Sequence, residues 1–446
     1  MKLHNKKKKL WTEKFPFIGK SKKIYSKLFH RGIPLWPIMA GEIYMFNNTS
    51  LESSFEEFFM IIKFLFSMDK FNIGEGKDKI LVSYPMARED HHNLVMKSIE
   101  KFPKKEIVLL DNYYWKKRKS ILKYKFRFPD IALLFKIWRK FKKEGAKKVF
   151  GKHFLYFLTR TYFRCKQIES LEEIYSRLKP RAHIAFCSQT FAEDTILALL
   201  SQKDGKPTFT LQHGLIVEYP YFTSQSILQE NLVSDYSLVW GKKTAEVLEK
   251  YTDSSKIIVV GNPKYNIMEE NKTNKFNPTT GTIFLPVIGT SSPSKKMLAI
   301  LNNFAKNHPE IKFNLSLHPF DDIKNYSEII TATNLKYCPV KNVSETIKNS
   351  DFIVIHNTTI AIESLQYGKP IFRYSDDFLV KLWKNDDCFK SEKDLEKLFR
   401  KLNNPKKYLS WSKKYQKEFR ENFYQPKEGT VSENYYKKVL EKIKDF

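Results

Sequence analysis

The stretch DFIVIHNTTIAIESLQYGKPIFRY, Asp351 to Tyr374, decides the fold. FIVIH (352–356) is short and apolar, TTIAIESLQYG carries apolar residues at helical spacing, and PIFRY (370–374) is apolar again. Strand, helix and strand in such quick succession read as a βαβ unit, which favours a parallel sheet. A strand this apolar usually enters its loop through Gly or Pro. Here it ends in Asn357, Thr358 and Thr359, which set side-chain oxygens where a helix begins. The unpaired N–H groups and dipole of a helix start favour an anion, and hydroxyls there can donate to phosphate. Glu363 lies four residues beyond Thr359, hence on the same helical face, where a carboxylate can accept both hydroxyls of a ribose. The plainer reading is that Asn357 or Thr358 caps the helix and Glu363 is solvated. Ile360, Ile362 and Leu365 embed the helix and favour the nucleotide reading.

The same alternation extends upstream. KILVSY (79–84), a helical REDHHNLVMKSIEKF (88–102) and EIVLLD (106–111) form a βαβ unit. AHIAFCS (182–188), PTFTLQ (207–212), YSLVWG (236–241) and KIIVVGNPKY (256–265) continue it, with helices at QTFAEDTILALLSQ and KKTAEVLEKY. NIMEENKTNKFNPTTG (266–281) is polar, holds Asn, Thr, Pro and Gly, and has no period, so it reads as the linker. A second series follows: TIFLPVIG (282–289), the helix SPSKKMLAILNNFAKN, IKFNLSL (311–317), LKYCPV (335–340), a short helix SETIKNS (344–350), and the stretch quoted first, with PIFRY as the last strand. Helices near 391–402, 406–420 and 431–445 close the chain. The expected architecture is α/β, with two Rossmann-like domains facing a cleft and ligands at the carboxyl ends of the strands.

At 446 residues the chain exceeds one hydrophobic core, and 42% apolar content excludes general disorder. The balance of 78 Lys+Arg against 49 Asp+Glu, formally +29, demands an anionic partner: nucleic acid, a membrane surface or phosphorylated substrates. Cys165, Cys187, Cys338 and Cys388 are scattered without a CxxC pair, which fits a reducing cytosol. MKLHNKKKKLW is basic but no apolar h-region follows, so no signal peptide is expected. FFMIIKFLFSM (58–68) and HFLYFLTRTYF (153–163) are too short to span a bilayer. Residues 112–180 interleave Lys and Arg with Trp, Phe and Leu, the composition of an interfacial helix on anionic lipid. A solvated helical pair with an ordinary core, or a nucleic-acid surface, are the alternatives.

Three motifs fall at strand ends. His213-Gly214 presents an imidazole able to exchange a proton near neutral pH, with a glycine that admits close approach. His318-Pro319 repeats the placement and can hold a phosphate oxygen of a leaving group. Both can also be turn residues. Asn262 in GNP reads more as a turn residue than a ligand; Asp90, His91 and His92 can touch an acceptor; Glu193 and Asp194 give at most weak acidic support. No metal is assigned, because no second cluster of His and carboxylate has ligand spacing. GxGxxG, GxxxxGK[ST] and GxSxG are absent from strand-turn-helix context, which argues against a dinucleotide oxidoreductase, a P-loop ATPase and an α/β-hydrolase.

LQHG (211–214), LVWG (238–241), VVGNPKY (259–265), SLHPF (316–320) and HNTTIAIESLQYGKPIF (356–372) together resemble the GT-B glycosyltransferases of bacterial capsule and surface-polysaccharide synthesis. Capsule Kdo-transferases and polysialyltransferases share an HP motif and a later hydroxyl pair; CDP-glycerol glycerophosphotransferases share a strand-end HG and HP. The resemblance covers about residues 180–375. It departs in having Thr-Thr where paired Ser is usual and in lacking a recognisable acidic catalytic motif. It implies a cytoplasmic transferase, peripheral to the inner membrane, that needs no cofactor or metal and takes a nucleotide-sugar, CMP-linked among the candidates, as substrate. His318 would bind the nucleotide phosphate with support from Asn357, Thr358 and Thr359, Glu363 would hold the ribose, and His213 beside Gly214 would be the base or acceptor-side group. The partners implied are a glycan or lipid-linked acceptor and an anionic membrane surface, not nucleic acid. In this scheme 1–265 is the acceptor-side domain with the 112–180 insertion, 266–281 the linker, 282–428 the donor-binding domain and 429–446 a terminal helix. The rivals are a glycerophosphotransferase, an enzyme of the hydrolysing sugar-nucleotide epimerase type, which should show more acidic residues around the cleft, and a nonenzymatic basic binding module.

Overall fold

The computed structural model describes residues 15–48, 54–69, 71, 73, 76–111, 124–216, 218, 225–264, 276–285, 292–318, 321–340, 342–377, 379, 386–424 and 429–446. Much of the expected linker, the segment 112–123 of the basic insertion and Pro319 lie outside the described residues.

Two six-stranded sheets, parallel throughout, organise the chain. In the first, the strands run in space as Ile257–Val259, Tyr236–Val239, Thr208–Leu211, Ala182–Ala185, Ile80–Tyr84 and Ile107–Asp111. Ile80–Tyr84 is buried along its whole length, as expected where helices cover both faces of a parallel sheet. Because Cβ atoms alternate across a strand, Leu81 joins one core, while Ile80, Val82 and Tyr84 join another. The first core is covered by helices Pro16–Tyr25, Leu35–Asn48 and Phe154–Leu178, so the two early helices pack as part of this half. Glu42 receives hydrogen bonds from both Arg160 and Arg164, fastening Leu35–Asn48 to the long helix. On the other face lies the last helix of the chain, Val431–Lys444, which contributes Val431, Tyr435 and Val439. Ser432 Oγ donates to the Lys97 carbonyl at 2.8 Å and Tyr435 Oη to that of Gly261 at 3.3 Å.

The second sheet runs Leu335–Tyr337, Lys312–Leu317, Thr280–Leu285, Phe352–Ile355, Ile371–Tyr374 and Cys388–Phe389. Its order, third, second, first, fourth, fifth, sixth in the sequence of this half, is the Rossmann order. Two details differ from the sequence reading. Ile371–Tyr374 is followed by a sixth strand of two residues, Cys388–Phe389, too short to carry a periodic signal. The strand Thr280–Leu285 begins two residues inside the expected linker, and Phe276 already packs in the second core. Arg373 and Asp387, both essentially inaccessible, pair at 2.8 Å within this half.

In each sheet the strand order reverses once. The reversal falls between Ile80–Tyr84 and Ala182–Ala185 in the first sheet, and between Thr280–Leu285 and Phe352–Ile355 in the second. At such a reversal the two flanking crossovers depart to opposite faces and leave a crevice at the carboxyl ends.

Candidate functional site

The carboxyl end of Ile80–Tyr84 runs through Pro85-Met86-Ala87 to Arg88, directly before the helix Glu89–Ser98. Its guanidinium is held by Asp90 through bonds of 3.1 and 2.7 Å, with both side chains about half exposed. His91, on the next residue, packs edge-on to His213 with ring centroids 5.7 Å apart, and Phe186 lies 5.0 Å from His213. His213 therefore stands where three strand ends meet: 80–84, 182–185 and 208–211. Its neighbour Gln212 accepts the Trp240 N–H at 2.8 Å and donates to the Gly214 carbonyl at 2.8 Å, fixing the loop. A Cβ on Gly214 would meet nothing within 4 Å, so no packing contact in the protein requires glycine there.

Charge joins the two halves. Burial, with His91 and Arg88 adding to it, lowers the His213 pKa to about 3. Burial and then Arg88 lower His91 to about 4, with Asp90 opposing. His318, immediately after the strand Lys312–Leu317 of the second half, is lowered by burial and then by the same Arg88, with Asp321 opposing. One guanidinium thus acts on imidazoles from both halves. All three rings are neutral near pH 7 in the absence of an anion, and a negatively charged group beside Arg88 would raise them.

A second bridge crosses from the loop after Ile257–Val259. Asn262 is buried and its side chain accepts the Lys264 N–H at 3.1 Å, which makes it the turn residue expected. The turn presents Lys264 to Glu363 of the second half, Nζ to Oε1 3.6 Å. Glu363 is 12% exposed and sits on Ile360–Gln366, so its carboxylate points toward the first half. Asn357, Thr358 and Thr359 occupy the reversal point of the second sheet. Thr359 is the N-cap position, yet its side chain makes no capping bond; Thr358 Oγ1 accepts the Ile360 N–H at a long 3.4 Å. The helix has only seven residues, so its dipole is a weak anion trap and the nearby cations carry more of the field.

Several residues singled out in the sequence serve packing. His92 binds Asp111 at 2.8 Å beneath Tyr84. Asp194 is fully buried, receiving the Ser83 hydroxyl and the Cys187 N–H, the latter at 2.7 Å, and Glu193 is buried beside it. Sequence reasoning missed Arg88, Lys264 and Gln212, and also His356, which is buried and bonded to Asp376 at 2.9 Å at the second reversal point. Among the described residues no group of three or more His, Cys, Asp or Glu is placed to hold a metal ion.

No protein-family model matches the chain, and a search of curated proteins returns no match. Solved structures do match. The UDP co-structure of S. aureus MnaA aligns with TM-score 0.50 at 14% identity over 82% of this chain and 97% of that one. A Listeria monocytogenes protein named as a UDP-N-acetylglucosamine 2-epimerase gives 0.51 at 11% identity over 83% and 96%. The lipopolysaccharide outer core galactosyltransferase WaaB, in its apo form, gives 0.44 at 14% over 81% and 99%, too weak a likeness to bear on function. The fold is accordingly of the GT-B type, two Rossmann-like halves in one chain.

Proposed function

We propose that this protein is a glycosyltransferase that moves a sugar from a nucleotide-sugar donor to a capsule or lipopolysaccharide acceptor at an anionic inner-membrane surface. The observation that carries the reading is the cationic seam between the halves: Lys264 of the first lies 3.6 Å from Glu363 of the second, and the Arg88 charge bears on both His213 and His318. A nucleotide leaving group between the halves would meet this guanidinium, the His318 ring and the Thr358 and Thr359 hydroxyls, with Glu363 at the ribose.

In the proposed reaction an acceptor hydroxyl oxygen attacks the anomeric carbon as the bond from that carbon to the phosphate oxygen breaks. His213 takes the hydroxyl proton, and the electron pair leaves with the nucleotide. The ligand-free pKa near 3 makes His213 neutral and ready to accept, but a feeble base. Donor phosphates beside Arg88 and His91 would offset two of the influences that depress it and make it more basic when the donor is bound. The carboxylates that meet this cluster are each engaged: Asp90 by Arg88, Glu363 by Lys264, and Asp321 by the Tyr326 hydroxyl at 2.7 Å. A cleft of cations and neutral imidazoles suits binding a departing anion better than the acid-rich chemistry expected of a hydrolysing epimerase.

Thermal shift with CMP, CDP, UDP and GDP tests the reading. A nucleotide should raise the melting temperature of the wild type and fail to do so in His318→Ala. If no nucleotide stabilises the wild type, donor binding is refuted.

A further inference from the structure

We propose that the outward face of the helix Ile131–Lys143 docks on an anionic lipid bilayer. The inference deepens the surface-glycan reading and rests on it for the choice of a membrane as partner. The helix has two apolar faces. Leu133, Ile137 and Phe141 are buried inward, as an ordinary amphipathic helix requires. Ile131, Phe135 and Trp138 follow each other at intervals of four and three on another face, exposed at 71%, 56% and 37%, and Phe128 just upstream is 83% exposed. Ile131 and Phe135 thus leave more than half of their apolar surface outside the protein's own core.

Their surroundings are cationic. The Phe135 and Trp138 rings stack at 5.4 Å, Arg139 lies 5.9 Å from the Phe135 ring centre, and Lys142 lies 5.5 Å from that of Trp138. Lys136, Lys140 and Lys143 complete the set, and the helix itself contains no Asp or Glu. The two acids at its ends are occupied: Asp130 accepts the Leu133 N–H at 2.9 Å and Glu144 pairs with Lys27 at 2.5 Å. Among the described residues none of the five cations pairs with a carboxylate. In the open groove of about 960 Å³ beside Phe128, by contrast, Arg31 and Lys166 are already paired with Glu172 and Glu169.

An anionic bilayer uses both features at once, taking the rings into the headgroup boundary and matching Lys and Arg to lipid phosphate. A second copy of the chain would set these cations against each other. A nucleic acid would pair with the cations but offer the 71% exposed Ile131 no apolar surface to enter. No helix among the described residues is long and apolar enough to cross a membrane, so the contact is peripheral.

The test is flotation of the full chain with vesicles of equimolar phosphatidylglycerol and phosphatidylcholine, against vesicles of phosphatidylcholine alone. Binding is expected only to the anionic vesicles and should weaken as NaCl rises to about 0.5 M, where charges are screened within a few ångströms. The double variant Phe135→Ser/Trp138→Ser alters exposed positions and should keep its melting temperature while losing about tenfold or more in vesicle affinity. Wild-type flotation by that variant, or equal binding to neutral vesicles, overturns the proposal. So does absence of flotation by the wild type, and a dimer or an oligonucleotide complex that the variant abolishes would then name the true occupant. The nucleotide shift, run on the same variant, should be intact, so loss of docking and loss of donor binding are read separately.

Discussion

Arg88 is the residue on which the two halves converge, and its removal has two measurable consequences. Arg88→Met should raise the titration midpoints of His213 and His318 in NMR, since a cation that depresses both is gone, while burial keeps each below 6.5. The same change should weaken nucleotide binding by about tenfold or more, the worth of one charge-assisted hydrogen bond to phosphate. A second consequence concerns acid. Burial, the first cause in each case, holds His91 near 4 and both His213 and His183, a fully buried residue of the strand Ala182–Ala185, near 3, against an ordinary 6.5. Between these values the unfolded chain binds more protons, so stability is fully present above 6.5 and is lost as pH falls toward 4 and 3. The slope is at most about 1.4 kcal/mol per pH unit for each ring. Denaturant unfolding at about pH 5 and 7.5 should therefore give a lower midpoint at the acid pH. His213 and His318 were legible in the sequence because each directly follows a β-rich run. Arg88 and Lys264 were not: a cation in a loop looks like any solvated charge until the fold sets groups of the other half beside it.

At the scale of elements, close approach at strand ends holds the candidate site in shape. Gly241 follows Tyr236–Val239 and Trp240, and a Cβ there would lie 2.1 Å from the Asn422 carbonyl oxygen. Its backbone is extended, with φ −167° and ψ 177°, so the glycine answers to contact and not to torsion. The clash is with backbone, in the π-helical turn Arg420–Tyr424, which cannot swing aside as a side chain can. Gly241→Ala should cost about 1–3 kcal/mol, read as a lower denaturation midpoint, and should loosen the turn against the helix Lys242–Leu248. The strands themselves were largely readable, because parallel strands covered on both faces give short unbroken apolar runs. What escaped was the packing of the first part of the chain. Its basic, aromatic composition hid a regular stripe, Ile18, Tyr25, Leu35, Met39 and Ile43, that enters the first core. The reading of Ile360–Gln366 as an anion trap also needed tempering, since sequence spacing gave a helix but not one of only seven residues.

Across the whole molecule, the first and last described helices, Pro16–Tyr25 and Val431–Lys444, lie on the same half. After building the second sheet the chain returns through Pro405–Phe419 and the turn Arg420–Tyr424, and Val431–Lys444 then covers the face of the first sheet that carries Ile80, Val82 and Tyr84. Sequence alone showed only a helix near 431–445; its buried stripe of Val431, Tyr435 and Val439 and the capping box at Thr430 and Glu433 appear in the structure. Which sheet the stripe covers depends on the path of the intervening chain, and no local pattern encodes that. The return has a consequence for the cleft, because Tyr435 Oη donates to the Gly261 carbonyl, three residues before the Lys264 that bridges to Glu363. Two substitutions separate packing from this bond. Tyr435→Ala opens a cavity under a fully buried ring and should cost about 3–5 kcal/mol, lowering the melting temperature. Tyr435→Phe keeps the ring and removes only the donor, costing about 1 kcal/mol, but it frees the loop that aims Lys264. If that aim matters, Tyr435→Phe should weaken nucleotide binding in proportion to Lys264→Met, and the double variant should be no weaker than Lys264→Met alone. Additive losses in that cycle would mean that the last helix stabilises the first half without any hold on the cleft.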